Sequence, residues 1–434
     1  MAFTKQRLEP VMNEYHRPIR EYGVLFRGGQ HADINRQSLD ESDWDWLHSQ
    51  APRFADESGE FLKPVYRDRS YALQVSNYVG VIQMPSGQVL EILPKISELD
   101  TIEECRTSLF RMLSRVHQLP FKQSNDASLS AFDRPMLEIL IGQFLSAAQQ
   151  VINRGLRFDY QLIEEDSTYL RGKLNVQQYA QYPASKRLRF PVQYDDYVSN
   201  RPENRLLHWA VRTVFHWSHD NRHRTHARKI MTLLSAIPPS PDPYADRRQW
   251  STQRLMRHYR PLKPWIDLIL DEQTPLSQKG KHAGVSMLFP METLFERYVA
   301  EVIKHQLPNG YSLIYDREGG KLAKHGDKYL VSLRPDFQIQ YKNRTVSILD
   351  AKWKHLKMSN SGSGMVKNLS NADLYQLFAY AMKILPDGGE LYLIYPKSSE
   401  FTEPMSDIEL SDRHRLSVVP FDLATGAVEC VLYN

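Results

Sequence analysis

Leu333-Arg334-Pro335-Asp336-Phe337-Gln338-Ile339 and then Ile348-Leu349-Asp350-Ala351-Lys352-Trp353-Lys354 decide how this 434-residue chain is read. A Pro-Asp pair is followed 14 residues later by Asp-x-Lys, with the turn-like Lys342-Asn343-Arg344 between them. From Val331 to Tyr341 the residues alternate. Val331, Leu333, Phe337 and Ile339 share one parity, and Asp336, Gln338 and Gln340 the other. Thr345 to Trp353, β-branched and apolar, reads as a second strand. With Lys342 to Arg344 as a three-residue loop, Asp336 falls opposite Asp350. Their Cβ atoms are then roughly 4.5–5.5 Å apart, with Lys352 two residues along the same face. Two carboxylates that close repel unless a cation lies between them. Oxygen ligands of this kind suit Mg²⁺, with Mn²⁺ as a substitute. The lysine would orient or deprotonate an attacking water, or neutralise charge building on a phosphate. A two-residue turn would shift the register by one and spoil the alignment. An isolated Asp-x-Lys occurs by chance in many proteins and is more often part of a charged surface hairpin, so the flanks must decide.

Upstream, Met291 to Ile303 carries a helical apolar stripe of Leu294, Phe295, Tyr298, Val299, Val302 and Ile303, with Glu296 at its edge. Downstream, Ser370-Asn371-Ala372-Asp373 offers an N-cap and an acidic first turn. The helix Leu374 to Met382 follows, with Gln376 and Tyr380 on one face. Met358 to Gly364 reads as a flexible loop, and Leu391 to Pro396 as a buried strand.

This order of helix, acidic hairpin, loop, Gln-x-x-x-Tyr helix and strand resembles the restriction-endonuclease-like superfamily with the PD-(D/E)xK motif, in its RecB-type branch. Further blocks are similar to the McrC family, the nuclease subunits of McrBC modification-dependent restriction systems. These are Asn77-Tyr78-Val79-Gly80-Val81-Ile82, Leu90-Glu91-Ile92-Leu93-Pro94-Lys95-Ile96, Asn200-Arg201-Pro202-Glu203-Asn204-Arg205-Leu206-Leu207 and Leu294-Phe295-Glu296-Arg297-Tyr298-Val299. The similarity runs in patches from about Tyr71 to Tyr395. The resemblance implies a catalytic set of Asp336, Asp350 and Lys352 supported by Glu296, Gln376 and Tyr380. Asp336, Asp350 and the carbonyl of Ala351 would hold the metal. It also implies an α/β fold, with a C-terminal restriction-endonuclease-like core (a mixed sheet flanked by helices) and an N-terminal mixed α+β partner-docking region. The partner would be an McrB-like AAA+ GTPase ring and the substrate double-stranded DNA, with pairing of nuclease domains for double-strand cleavage.

Composition agrees with a folded chain: 41% hydrophobic and 24% charged residues argue against wholesale disorder. Cys105 and Cys430 are the only cysteines, too few for a disulfide framework or a four-thiolate zinc site. No apolar run approaches the ~20 residues of a membrane span, and no signal-peptide core is visible, so a cytoplasmic protein without membrane contact is expected. A net charge of +4 does not by itself mark a nucleic-acid binder. Basic residues do cluster in His216 to Lys229 and again in Arg247, Arg248, Arg254, Arg257, His258 and Arg260, stripes able to hold phosphates. Three regions are expected: a β-rich docking region at 1–130, a mainly helical middle at 131–280, and the nuclease domain at 281–434. Pro85-Ser86-Gly87 predicts a hairpin turn, and the patterns predict helices over 102–116, 134–151, 200–236 and 245–270 and a strand over 155–159.

No Gly-x-x-x-x-Gly-Lys-Ser/Thr loop is present, so nucleotide hydrolysis is expected from the partner. Two other functions compete. A stand-alone RecB-type repair nuclease would account for residues 291–396 but not for the first 280. A non-catalytic ring-docking regulator would have no need of intact Asp336, Asp350 and Lys352.

Overall fold

The computed structural model describes residues 15–54, 60–96, 101–120, 134–271, 286–315, 320–326, 328–358, 366–367 and 369–428. The chain forms two compact units, one of residues 1–136 together with 274–434 and one of residues 137–273. Most of the loop expected over Met358 to Gly364 and the junction expected over 278–284 lie outside the described residues.

The first unit begins with strand β1 (His16–Arg20). Strands β2 (Tyr78–Gln83) and β3 (Val89–Leu93) form the expected hairpin. Its turn closes through Gly87 N–H donating to the Met84 carbonyl at 2.9 Å. Helix α1 (Ile102–Val116) starts with a capping box in which Thr101 and Glu104 satisfy each other's backbone N–H groups. Strand β4 (Ser286–Pro290) then pairs antiparallel with β2, completing a four-stranded sheet in the order β1-β3-β2-β4. This pairing ties the two ends of the chain together, whereas the sequence separated 1–130 from 281–434. Gly80 makes it possible. Its φ is +131°, and a Cβ there would lie 2.0 Å from the Met287 carbonyl oxygen. A five-stranded sheet packs nearby, formed from Ala32–Asp33, Arg36–Leu39, Val24–Arg27, Ser70–Val75 and Leu62–Arg67 in that order.

Helix α2 (Met291–Gln306) buries the predicted stripe. It leads into β5 (Tyr311–Tyr315), β6 (Phe337–Tyr341) and β7 (Arg344–Ala351). Helix α3 (Asn371–Ile384), capped by the Ser370 hydroxyl, is followed by β8 (Gly389–Pro396), β9 (Met405–Ser411) and β10 (His414–Phe421). The six strands form one mixed sheet, β5-β6-β7-β8-β10-β9, with β7, β8 and β10 parallel. Leu377, Tyr380 and Ala381 of α3 share a core with Ile348, Leu391, Leu393, Leu416 and Val418. Phe421, of opposite parity in β10, meets Phe295 and Tyr298 of α2. The helices therefore cover opposite faces of the sheet.

Two features of the hairpin differ from expectation. The alternating run from Val331 is not one strand: Lys328–Leu333 pairs with Gly320–His325 in a separate ribbon, and the chain breaks before β6. Pro335, with no N–H to donate, lies at the break. The turn contains two residues, Lys342 and Asn343, both with positive φ (49° and 65°), as a type I′ turn requires. Such a turn should have misaligned the acids. The ladder slips back instead, because Gln340 pairs with Thr345 and Ile339 with Ser347, leaving Val346 as a β-bulge. Phe337 then pairs with Leu349, the register that points Asp336 toward Asp350.

The second unit holds helices Met136–Asn153, Pro202–Trp217, Asn221–Leu233 and Lys263–Asp271 and a three-stranded sheet of Lys173–Leu174, Phe190–Val198 and Asp159–Ser167. The helix predicted over 200–236 is split at Ser218–Asp220. There Glu138, 1% exposed, accepts from the Ser218 hydroxyl, the His219 and Asp220 N–H groups and the His223 ring. The predicted 245–270 helix is likewise broken, and the strand expected over 155–159 runs instead from Asp159. The Asn200–Leu207 block is scaffolding. Buried Glu203 accepts from Ser251 N–H at 2.8 Å, and buried Asn204 joins the Arg157 and Ser199 carbonyls to the Tyr259 hydroxyl.

Candidate active site

Asp336, Asp350 and Lys352 meet at the β6–β7 end of the sheet. The Asp336 Oδ2 accepts the Ala351 N–H at 2.9 Å and lies 4.0 Å from Lys352 Nζ. Lys352 Nζ is 2.6 Å from Asp350 Oδ2. Lys352 has already left the strand, but its N–H still donates to the Ile394 carbonyl of β8 at 2.9 Å. Parallel pairing with β8 thus carries the strand's direction as far as the lysine.

Burial pushes the Asp336 carboxyl up to about 8, with Asp350 adding to the rise and Lys352 opposing it. Asp350 is raised for the same first reason and is held down chiefly by Lys352. Glu296 is pushed up to about 7, again by burial first, with Lys352 opposing and Asp350 reinforcing. All three acids therefore share one electrostatic neighbourhood, as the edge position of Glu296 on α2 suggested. Burial alone would lower the Lys352 pKa, but Asp350 and Asp336 outweigh it and hold the ammonium charged. A lysine held charged in this way is suited to orienting a water or neutralising charge.

Among the described residues, no three His, Cys, Asp or Glu side chains form a finished ligand cage. The donor set is still suited to a hard cation. Asp350 is 1% exposed; its Oδ2 meets the Lys352 ammonium at 2.6 Å, while its Oδ1 has no hydrogen-bond partner among the described residues. A buried carboxylate oxygen without a hydrogen bond carries a desolvation cost (about 1–3 kcal/mol even for a neutral group), which a cation beside Oδ1 would offset. Mg²⁺ needs only one or two carboxylates from the protein.

Gln376 and Tyr380 take a supporting place. Gln376 Nε2 donates to the Tyr380 hydroxyl at 2.6 Å, and that hydroxyl donates to the Arg334 carbonyl at 2.9 Å. Helix α3 thereby fixes the irregular backbone just before Pro335-Asp336. Sequence reasoning passed over the contacts of five residues here. The Trp353 indole N–H donates to Glu21 Oε2 at 2.8 Å. Lys354 pairs with Asp373 at 3.2 Å, and Tyr395 donates to the same carboxylate. Asp373 reads from sequence as a helix-start acid, and a contact from Glu21 to Trp353 across 332 residues leaves no local trace.

No described helix is long and apolar enough to cross a membrane. No curated protein matches this sequence. The family model for the McrBC 5-methylcytosine restriction system component matches residues 73–396, most of the chain. Among solved structures, the chain is similar to one described as a half-complex of Thermococcus gammatolerans McrB AAA+ hexamers with bound McrC. The TM-score is 0.66 at 19% identity, over 94% of this chain and 94% of that one. It is also similar to one from the Thermococcus gammatolerans McrBC complex, with a TM-score of 0.51 at 19% identity, over 68% of this chain and 88% of that one. This chain belongs to the family of McrBC 5-methylcytosine restriction system components.

Proposed function

We propose that the protein is the DNA-cleaving subunit of a GTP-dependent, modification-dependent restriction complex. It hydrolyses phosphodiesters of double-stranded DNA and docks on, and stimulates, an McrB-like AAA+ GTPase ring. The observation that carries this reading is the meeting of Asp336, Asp350 and Lys352 beside Glu296 in a chain of this family. Its fold similarity to proteins solved with McrB hexamers supports the choice of partner.

Asp336 and Asp350, with the carbonyl of Ala351, would hold Mg²⁺, or Mn²⁺ in its place. When bound, the ion supplies charge neutralisation at the phosphate and lowers the cost of deprotonating water. Lys352 keeps its proton, orients the attacking water by donating to it, and offsets negative charge growing on the phosphate. Glu296, largely buried with its pKa near neutrality, is suited to receive a proton from that water. Gln376 and Tyr380 keep Asp336 aimed at the site. Because one site cuts one strand, double-strand breaks call for two nuclease domains acting together.

Asp350→Ala in the full chain tests the assignment. Mg²⁺-dependent cleavage should vanish while stimulation of the partner GTPase persists. Cleavage that survives this change would place the site elsewhere. Efficient cleavage by the protein alone, without partner or nucleotide, would favour a stand-alone nuclease.

A further inference from the structure

The four residues Lys352, Trp353, Lys354 and His355 follow the end of β7 without regular structure, and each grips a different element. Lys352 faces the carboxylates, and Lys354 holds Asp373 at the start of α3. The other two reach back into the N-terminal region. The His355 Nε2 is 2.6 Å from the Lys95 carbonyl oxygen. Trp353 donates to Glu21, and its ring lies 5.3 Å, centroid to centroid, from Phe295, the neighbour of Glu296 on α2. Trp353 therefore adjoins the site twice, through Lys352 in sequence and through Phe295 in space.

Glu21 is an unusual acceptor for an indole. It is 1% exposed, and burying a carboxylate costs far more than burying an amide or hydroxyl that could accept the same hydrogen bond. The surrounding backbone holds it firmly. Its N–H donates to the Leu93 carbonyl of β3, and Tyr22, at φ +65°, donates to the Val75 carbonyl. A cavity of about 240 Å³, lined by Tyr22, Trp353, Lys354, His355 and Pro396, adjoins the contact.

We infer that Glu21 is a positioning residue for cleavage. It acts through Trp353 to hold Lys352 against Asp350, so the N-terminal sheet is part of the machinery that sets the site's geometry. This inference rests on the nuclease reading above. A displacement of the lysine by an ångström or so affects the reaction rate far more than it affects DNA binding.

The test uses the full chain assembled with its partner GTPase and DNA, with Asp350→Ala as the control. Glu21→Ala should lower kcat for Mg²⁺-dependent cleavage about tenfold or more, leaving KM for DNA and stimulation of the GTPase within about twofold. Glu21→Gln, which keeps an acceptor oxygen, should restore most of the rate. Trp353→Phe should match Glu21→Ala, and the double variant should be no worse than either alone. If Glu21→Ala does not fold, the Trp353→Phe and Glu21→Gln pair decides the matter. Unchanged kcat in Trp353→Phe overturns the inference, as does an equal loss of cleavage and GTPase stimulation in Glu21→Ala. Cleavage by the Asp350→Ala control overturns the nuclease assignment itself, and this inference with it.

Discussion

Glu91 occupies the middle of an otherwise apolar strand, Val89-Leu90-Glu91-Ile92-Leu93, and is fully buried at 0% exposure. It accepts from Arg106 of α1 through Nε at 2.9 Å and Nη2 at 2.6 Å, and from the Met136 N–H at 2.9 Å. Glu91→Leu would take from the buried Arg106 guanidinium the carboxylate it meets through Nε and Nη2. Breaking a buried pair from one side costs about 3–5 kcal/mol, a large share of the roughly 5–15 kcal/mol that stabilises a folded protein. Arg106→Met strands the carboxylate and should cost a similar amount. The double variant removes both charges and leaves the Met136 N–H without its acceptor, a loss of about 1–3 kcal/mol. The pair should therefore show a coupling of about 3 kcal/mol or more. Urea denaturation of the four proteins, followed by circular dichroism, measures it. Single variants each costing less than about 1 kcal/mol, or a double variant equal to their sum, would refute the argument.

Three further outcomes follow from the geometry. Gly80→Ala should destabilise by at least about 3 kcal/mol, because its Cβ meets the Met287 carbonyl and its φ is positive; a melting temperature within a degree or two of the parent would contradict the close approach of β4. Tyr380→Phe removes the hydroxyl between Gln376 and Arg334. It should slow cleavage about tenfold with partner GTPase stimulation intact, and Gln376→Leu should add little to it. Burial pushes Glu21 up to about 7 from 4.5, so the folded state binds its proton more tightly than the unfolded chain. Stability is therefore lost as pH rises, beginning near 4.5 and complete above about 7, by about 3 kcal/mol in all. Asp336 and Glu296, raised for the same reason, add to the slope, so Glu21→Gln should make the loss of stability from pH 4.5 to 8 smaller than the parent's by about 3 kcal/mol; an equal loss in both proteins would refute the assignment to Glu21.

The candidate site was legible in outline because the residues that meet there lie mostly on regular elements close in sequence. Periodicity placed α2, β7, α3 and β8, and with them Glu296, Asp350, Gln376 and Tyr380. Alternation could not reveal the break at Pro335 or the bulge at Val346. The residues around each keep the β-branched or alternating character of a strand, and the two-residue turn with its bulge gives the same pairing at Phe337 as a longer turn without one. The buried polar residues Glu21, Glu91, Glu203 and Asn204 each meet at least one partner distant in sequence. Their positions could be read, but their reasons could not. The sheet of the 137–273 unit escaped for a different cause: Asp159–Ser167 is almost entirely exposed and polar, with no apolar face to mark its period.

The bulge at Val346 works like a vernier between turn and site. Lengthening the turn by one residue while deleting Val346 would return the same acids to the same opposition, so two sequences of equal length reach one geometry by different backbones. A lineage could cross between them without losing its carboxylate pair at the endpoints. Either step taken singly would turn Asp336 to the wrong side of the sheet, which makes the spacing from Ile339 to Ser347, more than the identity of the turn, the quantity that selection must preserve.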